Sequence, residues 1–242
     1  MNLGKSLEVL NAEPVEQQYR IIVIGAGATG SNVCIQLARM GFKNFIVFDG
    51  DTVDSKNVNN QHYFQDQVGK PKVEALFENC VRINPEISQE NFIYGMFGMS
   101  SKGLLLSKKC IVFNCVDVGR KEIFSILKTC SSVKYLIETR MGLFWGKVFT
   151  IRMEIDAEVD YYEDSMPSIE AEKEKSAFTS SCGEALGVSY IASLIACKAI
   201  AFFVSIFREC LAETVIDLPL AFPGRYEFEF SDAGLKISQD LF

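Results

Sequence analysis

The run Ile22–Asn32, IVIGAGATGSN, carries a β-branched segment straight into three spaced glycines and then into a helical stretch. Few geometries accept that order. Gly25 supplies a tight turn at the strand's end, Gly27 lets the backbone approach a phosphate, and Gly30 lets the following helix pack close to the strand. The N–H groups and dipole at that helix's start favour an anion. Arg20–Ile24 is therefore expected to be a strand, Ser31–Met40 a helix capped by Gly41, and Asn44–Asp49 the next strand. A right-handed βαβ crossover of this kind builds a parallel sheet. Asp49 falls about 20 residues past the last glycine, the distance at which a carboxylate meets ribose hydroxyls. Taken alone, these residues favour an NAD(P)-dependent oxidoreductase.

The rest of the chain extends the α/β pattern. Lys72–Ile83 places Val73, Leu76, Phe77, Cys80 and Val81 on one helical stripe, stopped at Asn84-Pro85. Further strands are expected at Ile93–Tyr94, Cys110–Cys115 and Tyr135–Glu138, with a helix over Arg120–Thr129. Gly146–Ile155 alternates and reads as an antiparallel strand. Arg225–Phe230 also alternates, and a turn at Asp232–Gly234 with a return over Leu235–Ser238 completes a hairpin. The expected fold class is α/β: a doubly wound, mainly parallel, Rossmann-like sheet with an antiparallel extension and a C-terminal hairpin. Residues 1–242 read as one domain, with an arm over 1–19, a nucleotide-binding part over 20–155, a mobile crossover over 156–181 and a C-terminal helix and hairpin over 182–242. Asp156–Ser176 is acidic and shows no sustained apolar face, which is why a loop is expected there.

At 242 residues and 48% hydrophobic, the chain has ample core for that architecture. A net charge of −7 argues against nucleic acid as a partner, since neutralising phosphates takes clustered Lys and Arg. Eight cysteines occur with one histidine and no C-x-x-C, so no zinc is expected. Cys34, Cys80, Cys110 and Cys197 sit in apolar runs and read as small buried hydrophobes. The N-terminal residues lack a secretory core, and a cytoplasmic location with reduced thiols is expected. Ala185–Phe207 is long enough to span a bilayer. Lys198, Ser189, Ser193 and Ser205 weaken that reading, and a helix buried on a parallel sheet is apolar nearly all round too. No membrane association is expected.

Four further blocks redirect the reading: VFDGD (Val47–Asp51), NVNNQ (Asn57–Gln61), GKPK (Gly69–Lys72) and NCVD (Asn114–Asp117). In this order they resemble the ThiF/MoeB/HesA family, the activating enzymes of ubiquitin-like and sulfur-carrier proteins. The family's run reads roughly D-x-D-x-V-x-x-x-N-x-x-R-Q followed by G-x-P-K. It stands here as Asp49-Gly50-Asp51-Thr52-Val53, Asn57, Asn60-Gln61 and Gly69-Lys70-Pro71-Lys72. The family's late aspartate matches Asp117. Its C-A-E-A-G element matches Cys182-Gly183-Glu184-Ala185, with Leu186 delaying the glycine to Gly187. The likeness runs from Arg20 to Phe207.

The resemblance implies an E1-like adenylyltransferase. MgATP would activate the C-terminal glycine carboxylate of a small ubiquitin-like or sulfur-carrier protein, and pyrophosphate would leave. A carboxylate attacking an α-phosphate meets a polyanion, so such a site needs positive charge and alignment. Carried over residue by residue, Gly25, Gly27, Gly30, Asn60 and Gln61 line the nucleotide and Asp49 takes the ribose. Asn57 positions a phosphate oxygen or the ribose, and Lys72 meets the phosphates. Asp117 holds Mg²⁺ through oxygen, with help from Asp51. Each has a plainer alternative: Lys72 as a solvated helix-start lysine, Asp117 as cap of the helix near Arg120, Asp51 as a turn cap. His62 reads as structural.

Two departures leave the site short of positive charge. The family arginine before Gln61 is Asn60, and no arginine precedes Arg20, where many relatives carry one that reaches the partner subunit's ATP. Glu138-Thr139-Arg140-Met141-Gly142, just past an expected strand end, resembles an E-x-R-M-G element of short phage and bacterial relatives. Arg140 is the expected source of the missing charge or, alternatively, a structural partner of Glu138. Cys182, after the crossover and at a helix start, is the candidate for a thioester or persulfide-type bond with the carrier, or else a packing residue. A homodimer is expected. A non-catalytic nucleotide-binding scaffold stays open beside the oxidoreductase.

Overall fold

Ile21–Ile24 are all buried, Ile21 and Val23 among one set of core residues and Ile22 and Ile24 among another. A strand covered on both faces needs a continuous apolar run rather than an alternating one. This run lies in β1 (Tyr19–Ile24), the strand around which the sheet is ordered. The computed structural model describes residues 12–166, 189–210, 224–231 and 234–241. Its other strands are β2 (Ile46–Asp49), β3 (Phe92–Tyr94), β4 (Lys109–Asn114), β5 (Val133–Met141), β6 (Trp145–Arg152), β7 (Gly224–Ser231) and β8 (Gly234–Leu241). They form one eight-stranded sheet in the order β3-β2-β1-β4-β5-β6-β7-β8. The first five pair in parallel, and β6, β7 and β8 extend the sheet antiparallel, ending in the expected hairpin.

The helices are α1 (Ala12–Gln18), α2 (Ala28–Arg39), α3 (Lys72–Val81), α4 (Lys102–Leu106), α5 (Arg120–Lys128), α6 (Asp156–Asp164) and α7 (Ser189–Cys210). Buried residues of α2, α3 and α7 join Ile21 and Val23 on one face, and those of α5 and α6 join Ile22 and Ile24 on the other. The sheet is thus doubly wound. α2 ends in a Schellman turn: Phe42 N–H donates to the Leu37 carbonyl and Gly41 N–H to that of Ala38, both at 3.1 Å. Gly41 sits at φ +89°, the left-handed geometry that this cap requires.

Three expectations needed correction. Asp156–Asp164 is helical rather than a loop, because Val159, Tyr162 and Met166 share one narrow face and bury it. Tyr162 packs edge-on against Phe124 at 4.8 Å and Phe149 at 5.7 Å. Within the arm expected over 1–19, Ala12–Gln18 form α1, with Ala12 and Val15 in the core. Cys197 is exposed, whereas Cys34, Cys80 and Cys110 are buried as expected. The remainder of the crossover, residues 167–181, and Cys182 lie outside the described residues.

α7 is long and apolar enough to cross a membrane, but half of its Ser189–Ile206 window is buried. Ile191, Ile195, Ala199, Phe202 and Phe203 belong to the core shared with α2. Phe203 lies 5.3 Å from Phe42 and 5.2 Å from Phe113, centroid to centroid.

Candidate functional site

Strand order reverses at β1, with β2 and β3 on one side and β4 to β8 on the other. In open α/β sheets, ligands bind beyond the carboxyl ends of the strands at such a switch point. A cavity of about 940 Å³ opens there, lined by the glycine loop, the ends of β2 and β4, and the β5–β6 turn. That volume suits a nucleotide with room to spare.

The glycines divide the labour as their spacing predicts. Gly25 turns at φ +90°, where a Cβ would also crowd Val116 and Cys115. A Cβ on Gly30 would lie 1.8 Å from the Gly25 carbonyl oxygen, so α2 reaches the loop only because that position is bare. A Cβ added at Gly27 would meet nothing within 4 Å, and the residue lines the cavity. The loop is pinned on both sides of Ala26: its N–H donates to Asp49 Oδ2 at 2.7 Å, and its carbonyl accepts from the Tyr63 hydroxyl at 2.6 Å. Tyr63 is buried, and burial followed by the nearby Asp49 charge raises its pKa well above the usual phenol value, so it stays a donor.

Asp49 therefore has a structural duty as well as an accessible one. Its Oδ1 accepts from Asp51 N–H at 2.8 Å, and the residue still lines the cavity where ribose hydroxyls could reach it. Asp51 does not cap a turn through its side chain; it meets the Lys72 ammonium at 2.8 Å. A short clamp aligns the two. Val53 N–H donates to the Lys70 carbonyl, Gly69 N–H to that of Val53 and Lys72 N–H to that of Asp51, with Gly69 at φ +90°. Pro71 precedes the first turn of α3, and Lys72 opens it. The lysine is only 7% exposed and lines the cavity, which removes its reading as a solvated helix-start residue.

Asn57 is buried and lines the cavity, its amide oxygen accepting from Asp54 N–H at 2.8 Å. Asn60 and Gln61 line it too, and Asn60 Oδ1 and Gln61 Oε1 are buried without a hydrogen-bond partner. Buried polar atoms of that kind cost free energy unless something satisfies them, and a polar ligand in the cavity would. His62 is structural as expected: Nε2 lies 2.9 Å from Asn32 Oδ1, and burial lowers its pKa, with a smaller push from Arg39.

On the opposite wall, β4 ends at Asn114 and Asp117 follows, exposed and lining the cavity. It does not cap α5 through its side chain, since the N-cap is Gly119 at φ +82° with no side-chain bond. Among the described residues no group of three His, Cys, Asp or Glu could hold a metal. A single carboxylate such as Asp117 fits the way Mg²⁺ is held when nucleotide phosphates supply its other oxygens. Cys115 also lines the cavity, but burial pushes its thiol up to about 12, which leaves it unreactive.

Arg140 is the candidate that the structure moves. β5 runs on to Met141 instead of ending at Glu138, so Arg140 lies within the ladder opposite Lys147. Thr139 and Met141 line the cavity, while Arg140 turns to the other face. There it bonds Glu138, donates to the Ser165 carbonyl at 2.9 Å and covers the Phe149 ring at 4.4 Å. Its alternative reading as a structural partner of Glu138 describes what is seen. Among the described residues the arginine that does line the cavity is Arg120, which in the sequence reads only as a helix start. Tyr63 was likewise missed, because its contact with Ala26 spans 37 residues and leaves no spacing signal. Farther along, Gly142, Leu143, Trp145 and Lys147 extend the wall onto the antiparallel strands.

A model described as the ThiF family matches residues 11–221. Ubiquitin-like modifier-activating enzyme 5 of Caenorhabditis elegans is 33% identical over 111 residues, 42% of this chain and 26% of that protein. Its Arabidopsis thaliana namesake is 32% identical over 76 residues, 31% of this chain and 18% of that protein. The chain thus matches about a quarter or less of those relatives' length. Among solved structures, PaaA superposes with a TM-score of 0.68 at 17% identity, covering 98% of this chain and 74% of that one. E. coli MccB with ATP gives 0.64 at 16%, covering 96% and 66%. At such identities the likeness is one of fold.

Proposed function

This chain belongs to the ThiF family, and on that premise we propose that it works as an E1-like adenylyltransferase. The substrate is the C-terminal glycine carboxylate of a small ubiquitin-like or sulfur-carrier protein, which displaces pyrophosphate from MgATP to give an acyl-adenylate. One observation carries the reading: a glycine loop, a buried lysine and an exposed carboxylate, Asp117, line a single cavity at the switch point. An oxidoreductase has a use for Gly25, Gly27, Gly30 and Asp49 but none for Lys72 and Asp117 at the phosphates.

Each residue has a task that needs no relative to define it. Asp49 orients the ribose while locking the loop through Ala26. The start of α2 receives phosphate with its N–H groups. Lys72 exchanges its exposed partner Asp51 for phosphate oxygen, which concentrates positive charge where the leaving group forms. Bound Mg²⁺ would neutralise phosphate charge, with Asp117 as its protein ligand. The incoming tail reaches the α-phosphate along the Thr139–Trp145 wall, whose position on the antiparallel extension leaves the nucleotide end clear.

The decisive experiment is ATP–pyrophosphate exchange with candidate small proteins ending in Gly-Gly that neighbouring genes encode. Exchange that depends on one of them and on Lys72 supports the proposal. Tight ATP binding with no exchange for any such partner would instead favour a nucleotide-binding scaffold.

A further inference from the structure

The far wall of the cavity carries a buried arginine that no motif assigned. We infer that Arg120 binds the nucleotide's phosphate chain beyond the α-phosphate, from the wall opposite Lys72, and that Glu138 and Arg140 are its positioning residues. The inference rests on the nucleotide reading above and adds a contact to it.

Arg120 opens α5 just past the end of β4, lines the cavity and is 8% exposed. Its Nη1 donates to the Asp117 carbonyl, and its Nε lies 3.8 Å from Glu138 Oε1. Glu138 is fully buried, and the same Oε1 accepts from Arg140 Nε, with Arg140 itself fixed by Ser165 and the Phe149 ring. The carboxylate is therefore a stationary anchor. A guanidinium has five N–H donors, enough to hold an anchor and a ligand together.

Position and charge agree. Strands stand about 4.8 Å apart, so the end of β4 lies two strands, roughly 10 Å, from Asp49 across β1. A nucleotide with its ribose at Asp49 and its α-phosphate at the glycine loop extends its remaining phosphates toward Arg120. Lys147 is half-buried and Lys56 is exposed, which leaves Lys72 and Arg120 as the buried cations of the described wall. Buried cations act on phosphate with less screening than surface ones. The arginine absent at Asn60 is thus answered from the other side of the cavity.

Calorimetric titration of the full chain with adenosine, AMP and the non-hydrolysable analogue AMPCPP tests this. The wild type should prefer AMPCPP to AMP. Arg120→Gln should weaken AMPCPP by roughly ten- to a hundredfold, the range for a lost charge-assisted hydrogen bond, while adenosine and AMP change little. Arg120→Lys keeps the charge but lacks the fork, so it should lose about fivefold on AMPCPP alone. Arg140→Lys should show the same selective pattern to a smaller degree. Should Arg120→Gln fail to fold, Arg120→Lys decides, and parity with the wild type overturns the inference. Equal losses on all three ligands overturn it as well. Lys72→Met separates the failures. If it loses AMPCPP while Arg120→Gln does not, the nucleotide site stands and this inference falls; if the wild type binds none of the three, the proposed function falls first.

Discussion

Gly27→Ala and Gly30→Ala add the same methyl group three residues apart, and the structure demands opposite results. On Gly30 the new Cβ would stand 1.8 Å from the Gly25 carbonyl oxygen and 2.9 Å from its carbon, with Cys115 Cβ at 3.2 Å. Ordinary carbon–oxygen contact needs about 3.4 Å, so the Gly25 carbonyl must retreat by roughly 1.5 Å. It cannot retreat cheaply, because Ala26 next to it is held by Asp49 and Tyr63. Overpacking typically costs about 1–3 kcal/mol, and a clash with restrained backbone belongs at the upper end. For a chain of this size a loss of about 3 kcal/mol lowers the melting temperature by about 6–12 °C.

At Gly27 an added Cβ would meet nothing within 4 Å, and φ is −74°, so no left-handed strain opposes a side chain. Stability should stay within about 1 kcal/mol of the wild type. The methyl group would nonetheless occupy the space into which phosphate must come, and AMPCPP affinity should fall about tenfold or more. Thermal unfolding and calorimetry on both variants give the four numbers required. A Gly27→Ala protein that binds AMPCPP like the wild type would falsify the phosphate reading of the loop. A Gly30→Ala protein as stable as the wild type would refute the packing argument.

Lys72→Ala should cut pyrophosphate exchange by about a hundredfold or more while costing under about 1 kcal/mol of stability, because its partner Asp51 is 68% exposed; exchange and melting measured on one sample test both halves. His62 has a folded pKa below its ordinary 6.5, so between those values the unfolded chain binds more protons. Stability should therefore decline as pH drops below about 6.5 and level off beneath the folded value, and urea midpoints of wild type and His62→Gln across pH 4–7.5 should diverge only there. Phe203→Ala removes a ring packed on Phe42 and Phe113, and urea unfolding should show a loss of about 3–5 kcal/mol. An unchanged midpoint would mean that α7 does not pack as described.

Much of the nucleotide half was legible because its signals are local. An unbroken apolar run means a strand buried on both faces, and a glycine after a helix means a left-handed cap; Ile21–Ile24 and Gly41 obey both rules. The GKPK block announced Lys72, but the clamp that turns the lysine inward joins residues 51–53 to 69–72 and exists only once the chain has folded. α6 was hidden by its composition. Seven of its nine residues are Asp, Glu or Tyr, and the burying face is a stripe one residue wide at Val159 and Tyr162. Its Glu158 is 1% exposed yet satisfied, accepting from Arg152 N–H at 2.8 Å and Nε at 2.7 Å, a pairing that sequence order does not reveal.

The contrast between Arg140 and Arg120 shows where motif reasoning loses its footing. Sequence places Arg140 past the end of a strand that reads as stopping at Glu138, and a residue on that rim should face a ligand. Pairing with β6 carries the strand three residues further, to Met141. Because side chains alternate across a strand, that extension decides everything: Thr139 and Met141 go to the cavity, and Glu138 and Arg140 go beneath α6. Once there, two arginines converge on one oxygen, Oε1, of a buried carboxylate, and of the two Arg120 lines the cavity. Removing Arg140 would leave Glu138 short of a partner and free to pull on Arg120, so a change at Arg140 should still reach the nucleotide, through position and not through contact.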